Sequence, residues 1–347
     1  MPSVQTKSIK VLAIDGGGIR GIIPAVILSA LQARLKEDLW RHFDLIAGTS
    51  TGGIIALGIG TGCNTGQPYS ARQLVELYVQ NGPAIFRQVP LLTWIRQFLR
   101  PKYSPQALET ALQEFFQNAQ FASALTPLLI SSYDLHSQRP FFFKSHRIAS
   151  DRTYDWSVRS IARATSAAST FFPPLYLSTG TEDYALVDGG VFVNNPSMAA
   201  YAEARWLYPD ATNFVVVSVG TGDRQDRISY AKAKSWGLID WARQIIPVLM
   251  DSVSEGVDYE LTSLPGCTYC RLQIDNLQNA SPCMDDITPQ NLDNLQTIAS
   301  RYVSANSSEL DQIAVLLREG RGSDMPGVGL KTTLPRHAAR SPVLVPS

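Results

Sequence analysis

Residues 48–52 read Gly-Thr-Ser-Thr-Gly, so Ser50 stands between two glycines, Gly48 and Gly52, with Thr49 before it. An apolar run, FDLIA, precedes the motif and a second one, GIIALGIG, follows it. A serine held this way between a strand and a helix sits on a tight, strained turn with its hydroxyl exposed. The helix start beneath it favours negative charge on the oxygen. That is the chemistry of an acyl-transfer nucleophile, and such a nucleophile needs a base. Of the four histidines, His42 precedes the strand that carries Ser50, which places it at the opposite end of the sheet. His136 and His146 flank RPFFFKS and read as solvated turn residues. His337 alone has the chain order Ser-acid-His, and it lies in the aperiodic stretch LPRHAARSP. Asp188, followed by Gly189 and Gly190, ends the apolar segment YALV. At the carboxyl end of a parallel strand it would share the sheet edge where Ser50 sits. An ordinary Asp-Gly turn has the same sequence.

A second glycine cluster, DGGGIRG, runs from Asp15 through Arg20 to Gly21 and contains Gly-x-Gly-x-x-Gly at Gly16, Gly18 and Gly21. A dinucleotide site would also want an acidic residue at the end of the next strand. GTSTG occupies that place, and Glu37 and Asp38 fall inside the preceding helix; no Gly-Lys-Ser/Thr follows either. What remains is a glycine turn that opens a helix and leaves backbone N–H groups unpaired and aimed at one point. It is either an oxyanion hole or a turn needed only for packing. Arg20 could meet a lipid phosphate or an internal carboxylate.

These residues need a scaffold, and the hydrophobic pattern supplies one. Strands are expected at residues 10–14, 43–47, near 127–135, 139–145, 184–188 and 213–222. Helices are expected at 22–39, from Gly52, at 104–118, within VRSIARATSAAS, and from Asn195. Residues 231–319 read as mostly helical. Strand, glycine turn and helix repeated twice predicts an α/β fold, with a mainly parallel central sheet covered by helices on both faces. We expect one domain over residues 1–319, with a motif core at about 10–222 and a helical part at 223–319. Residues 320–347 are Gly-, Pro- and Arg-rich without periodicity and read as a disordered tail.

The chain has 347 residues with 30 basic and 30 acidic side chains, so its charge balance does not point to nucleic acid. No leader-like pattern opens residues 1–10 and no run of eighteen apolar residues occurs, which leads to an expected cytoplasmic location. Cys267 and Cys270, with Cys283, have the spacing of half a zinc site without the complementary pair, so no metal and no cofactor is expected. Residues 83–103 (PAIFRQVPLLTWIRQFLRPKY) carry Arg87, Arg96, Arg100 and Lys102 and no acid, with Leu91, Trp94, Ile95, Phe98 and Leu99 on one helical face. The segment fits a peripheral membrane contact and fits a core-packed helix equally well.

DGGGIRG, GTSTG and DGG, in this order, resemble the patatin-like phospholipases. So do ATSAASTFFPP at 164–174, GGVFVNNP at 189–196 and SPCMDDITPQNLDNL at 281–295. The resemblance spans about residues 10–295. It implies a three-layer α/β/α fold and a Ser50–Asp188 pair without histidine, Ser50 as nucleophile and Asp188 as base. The oxyanion donors would be backbone N–H groups of the turn Gly16, Gly17 and Gly18, centred on Gly17 and Gly18. The substrates would be acyl esters of phospholipids or galactolipids, met in a membrane or micelle. Without an imidazole, the rate is expected to show no step near pH 6.5. The competing readings are a Ser-His-Asp esterase using His337, and a ligand-activated effector or lipid-binding protein whose hydrolysis is secondary.

Overall fold

The computed structural model describes residues 8–62, 66–86, 102–169, 171–223 and 228–319. Among these, eight strands form one sheet: β1 (Ile9–Ile14), β2 (Leu45–Thr49), β3 (Leu128–Asp134), β4 (Arg139–Lys144), β5 (Leu175–Ser178), β6 (Asp183–Asp188), β7 (Phe214–Val219) and β8 (Cys267–Leu272). Their order is β5-β6-β3-β2-β1-β7-β8, with β4 also paired to β3. The β3-β2-β1-β7-β8 block is parallel throughout.

Side chains on a strand alternate between faces, so buried strands feed two cores. In β1, Ile9 and Val11 join the smaller apolar cluster while Leu12 and Ile14 join the larger. In β7, Phe214 and Val216 point one way and Val215, Val217 and Val219 the other. The larger cluster lies under α1 (Ile22–Leu35), α2 (Thr51–Gly60), α3 (Ala71–Ile85), α4 (Pro105–Phe116), α5 (Val158–Thr165), α9 (Pro289–Ala305) and α10 (Ser307–Arg318). The smaller is closed by α6 (Ser197–Leu207) and α8 (Leu238–Ser263); α7 (Tyr230–Ala233) is a single turn before α8. Helices therefore cover both faces, the architecture expected from the sequence. The stretch Gly18–Leu35 is long and apolar enough to cross a membrane, but its α1 portion packs into the larger core.

Three sequence expectations need correcting. Residues 231–319, expected to be mostly helical, also hold a strand that was not foreseen, β8, parallel to β7, and β5 was not foreseen either. These are the two edge strands, half covered, so they lack the continuous apolar run that marked their neighbours. Next, β2 extends to Thr49, so the elbow serine follows the strand directly. Finally, β6 is antiparallel to β3. Asp188 thus does not leave the carboxyl edge of a parallel strand.

Cys267 and Cys270 lie on opposite faces of β8, one in each core cluster, and burial pushes their thiols up to about 11 and about 12. Two residues three apart on a strand face away from each other and cannot share a metal. Of the amphipathic segment, residues 83–85 end α3, and Tyr103 is buried against Phe171 and Phe172. Residues 87–101 and the tail from 320, with His337, lie outside the described residues.

Candidate active site

Two strand ends make the site. β4 occupies one edge of β3 from Leu129 to Asp134. On the other edge, β2 pairs with Leu128 to Ser131, and β6 takes over at Ser132, running the opposite way, to Asp134. The two strands therefore meet head to head. β2 delivers Ser50 just past its last residue, and β6 delivers Asp188 as its last. The Ser50 hydroxyl faces the Asp188 carboxylate, near enough to favour its ionised form.

Ser50 holds φ 54 and ψ −122, a left-handed conformation that a side-chain-bearing residue adopts only under constraint. The constraint is visible. Its N–H donates to Thr165 Oγ1 at 2.9 Å, and its carbonyl accepts from Ile54 at 3.1 Å in the first turn of α2. Thr49 Oγ1 donates to the Val193 carbonyl at 2.7 Å and accepts from Ser131 Oγ at 2.7 Å, which pins the end of β2 to the loop after Asp188. Gly48 is buried in β2, and Gly52 lies in the first turn of α2.

Asp188 is 6% exposed. Burial pushes its carboxyl up to about 6, against the opposing hydrogen bonds from the Ser50 hydroxyl and the Gly190 N–H, the latter 2.7 Å from Oδ1. Its own N–H donates to the Ala167 carbonyl at 3.0 Å. Gly189 and Gly190 open the short 3-10 turn Gly189–Val191. The described histidines are elsewhere. His42 faces Glu37 before β2. His136 is exposed in the β3–β4 turn. His146, expected to be solvated, is instead half-buried, with Nε2 3.1 Å from Glu203 and its ring against Trp206.

The glycine turn comes up beside the serine. A side-chain carbon on Gly16 would stand 3.3 Å from Ser50 Cβ and 2.6 Å from Asn194 Oδ1, so glycine is required for the approach. The Gly16 N–H, however, donates to the Asn194 carbonyl at 3.1 Å and cannot serve an oxyanion as well, which corrects one of the three expected donors. The N–H groups of Gly17 and Gly18 have no acceptor among the described residues, and Gly18 takes φ 59. Gly21 packs against Thr51. Arg20 is buried and donates to the Gly222 carbonyl at 2.9 Å, an internal role and not a lipid-facing one.

Asp15 anchors the turn from behind. Its N–H donates to Val219 at 3.0 Å, and its Oδ2 accepts from Arg271 at 2.6 Å. Burial pushes the Asp15 carboxyl up to about 6 despite the pull of Arg271. Arg271 in turn reaches Asp258 of α8, which accepts from Asn195 at 3.0 Å. Sequence reasoning missed Arg271, because it sits on the unforeseen β8. Thr165 and Asn194 lay inside the segments 164–174 and 189–196 that carried the resemblance, without any spacing that marked them individually. Asn194 Oδ1 is buried without a partner among the described residues.

The patatin-like phospholipase family model matches residues 12–201, which contain the glycine turn, the elbow and Asp188. The chain belongs to the patatin-like phospholipase family. It is 33% identical to patatin-like protein 1 of Arabidopsis thaliana, over 85% of this chain and 81% of that one. To patatin-like protein 2 of rice (Oryza sativa subsp. indica) it is 30% identical over 94% and 90%. A potato (Solanum tuberosum) relative, 29% identical over 87% of this chain and 88% of its own, is named a probable inactive patatin. Membership implies a lipid acyl hydrolase.

Proposed function

We propose that this patatin-like protein cleaves fatty acyl esters of phospholipids or galactolipids through a Ser50–Asp188 pair and an acyl-enzyme. The observation that carries the reading is the Ser50 hydroxyl set beside a buried Asp188 where β2 and β6 meet on β3. As Ser50 Oγ attacks the ester carbonyl carbon, its proton passes to the Asp188 carboxylate. The tetrahedral oxyanion is met by the N–H groups of Gly17 and Gly18, each such donor being worth about 2.7–4 kcal/mol. Collapse breaks the bond to the alcohol oxygen, which takes the proton from Asp188. Asp188 then accepts a proton from water as the water attacks the acyl-serine; collapse breaks the bond from the acyl carbon to Ser50 Oγ, which takes that proton back from Asp188, and the fatty acid leaves.

A relative named as inactive shows why membership alone does not establish turnover; the intact Ser50–Asp188 contact argues for it here. Ser50→Ala and Asp188→Asn should each lower p-nitrophenyl ester hydrolysis by about 10³-fold or more while circular dichroism stays unchanged. Retained activity in Asp188→Asn, with loss on removing His337, would instead favour the histidine triad.

A further inference from the structure

The peptides of the glycine turn are trans. In a trans peptide, the carbonyl of one residue and the N–H of the next share a plane and point in opposite directions. Whatever holds the Gly16 carbonyl therefore sets the direction of the Gly17 N–H, and the Gly17 carbonyl does the same for Gly18. The second direction is fixed inside the turn, where the Arg20 N–H donates to the Gly17 carbonyl at 3.2 Å. The first is fixed from outside it. Thr221 Oγ1 donates to the Gly16 carbonyl at 2.8 Å.

Thr221 is well placed for this. It is buried, on the loop 220–223 that follows β7, and that loop is tied down at each of its other residues. The N–H groups of Gly220 and Asp223 donate to the carbonyls of Leu272 and Ile274 at 2.9 and 2.8 Å. The Gly222 N–H donates to Gln273 Oε1 at 2.9 Å, and the Gly222 carbonyl accepts from Arg20 of the glycine turn itself. The Thr221 side chain also presses on Gly17, where a side-chain carbon would lie 2.6 Å from Thr221 Cβ. We infer that the Thr221 hydroxyl is a positioning group that aims the Gly17 N–H at the oxyanion. This rests on the oxyanion role given to Gly17 above.

A hydroxyl that only satisfied a buried carbonyl would serve equally well anywhere in the core. This one acts on the peptide that lies against the nucleophile. Gly16 is the residue packed on Ser50, and its own N–H is already committed to the Asn194 carbonyl. The next N–H along the chain is that of Gly17, which has no acceptor among the described residues. A hydrogen bond weakens steeply as its angle closes, so a donor for a developing charge has to be aimed before the reaction begins. Glycine, with no side chain to wedge the peptide, cannot hold that aim alone.

Thr221→Val keeps the shape that packs on Gly17 and removes only the hydroxyl, while Thr221→Ser keeps the hydroxyl and removes only the methyl. On a soluble p-nitrophenyl ester, in the full chain, the valine variant should lose about 10–100-fold in kcat with KM within about twofold. The serine variant should stay within about threefold of the parent. Hexylboronic acid is the second probe, since Ser50 Oγ would turn it into a tetrahedral anion with an oxygen at the oxyanion position. Its affinity should fall in the valine variant by the same factor as kcat/KM. Thr221→Ala, smaller and also without a hydroxyl, should follow valine, and it decides the matter if the valine chain does not fold. Unchanged kcat in the folded hydroxyl-free variants would overturn the inference. So would equal losses in valine and serine, or a loss of kcat with boronate affinity retained. Ester hydrolysis that persists in Ser50→Ala would instead sink the catalytic reading and take this inference with it; an inactive Ser50→Ala beside a fully active Thr221→Val would overturn the inference alone.

Discussion

A carboxylate that does the work of an imidazole must be made a better base and still be ionised where the enzyme operates. Free aspartate titrates near 3.8, but burial pushes Asp188 up to about 6, and two hydrogen bonds stop it from rising further. This changes one expectation. On the proposed Ser50–Asp188 pair a rate step near pH 6 belongs to the carboxylate, so the absence of a step near 6.5 no longer separates Asp188 from a histidine. Temperature does, because carboxyl ionisation has little enthalpy and imidazole ionisation has much; the step should stay in place on warming. Stability carries the mirror image. The folded state holds the Asp188 proton more tightly than the unfolded chain, so this group's contribution is most favourable below about pH 3.8. It weakens as pH rises through about 6, reaching a cost of up to about 3 kcal/mol above it. Asp188→Asn, whose carboxamide can keep the bond to Gly190, should therefore raise the melting temperature at about pH 8, and the gain should vanish at about pH 4. A uniform gain at both pH values would contradict the burial argument.

At the level of elements, the site depends on two strands sharing one edge of β3, and that junction has no slack. The glycine turns, the elbow and the buried central strands were readable because each carries a local signature: paired glycines at chain reversals, and β-branched runs at β1 and β7 that water cannot reach on either face. The direction of β6 was not readable. YALVD carries the same residues whichever way it enters the sheet, and only its pairing with Ser132 to Asp134 decides. The antiparallel entry is what lets Asp188 arrive opposite Ser132 while Thr49 sits opposite Ser131. Gly189 shows how tight the fit is. A methyl there would stand 2.2 Å from Ser131 Oγ and 2.8 Å from the Ser131 carbonyl carbon, and the latter is backbone that cannot rotate away. Gly189→Ala should push the end of β6 off β3 and carry Asp188 with it. Ester hydrolysis should fall by about 10²-fold, since a shift near 1 Å costs roughly that much. Gly256→Ala, where a methyl meets nothing within 4 Å on α8, should instead stabilise the helix by up to about 1 kcal/mol. Full activity in Gly189→Ala would show that the junction can relax.

At the scale of the molecule, β1 and α10, the first and last elements among the described residues, hold each other. Lys10 of β1 is buried, and its Nζ donates to the carbonyls of Leu317 and Glu319, each at 2.5 Å, at the end of α10. A cation at a helix C-terminus satisfies carbonyls that the helix leaves open. α10 itself places Leu310, Ile313 and Leu317 in the larger core, against α1. The glycine turn that faces Ser50 leads straight into α1, so the position of the Gly17 and Gly18 N–H groups depends on a helix packed by α10. Sequence periodicity marked residues 231–319 as structured without showing this dependence, since a contact between residues 10 and 317 leaves no local trace. Ending the chain after Asn306 would expose three large apolar side chains' worth of core, at about 1.5–3 kcal/mol each, a sum comparable to the about 5–15 kcal/mol that holds a typical domain. That truncation should abolish cooperative thermal unfolding and ester hydrolysis together. Ending it after Glu319 removes His337 but keeps α10 and both Lys10 contacts, and should leave hydrolysis within about twofold and the melting temperature within a few degrees. A chain ended at Glu319 that folds but no longer hydrolyses would mean that residues beyond it supply a catalytic group, and the Ser50–Asp188 pair would not be sufficient.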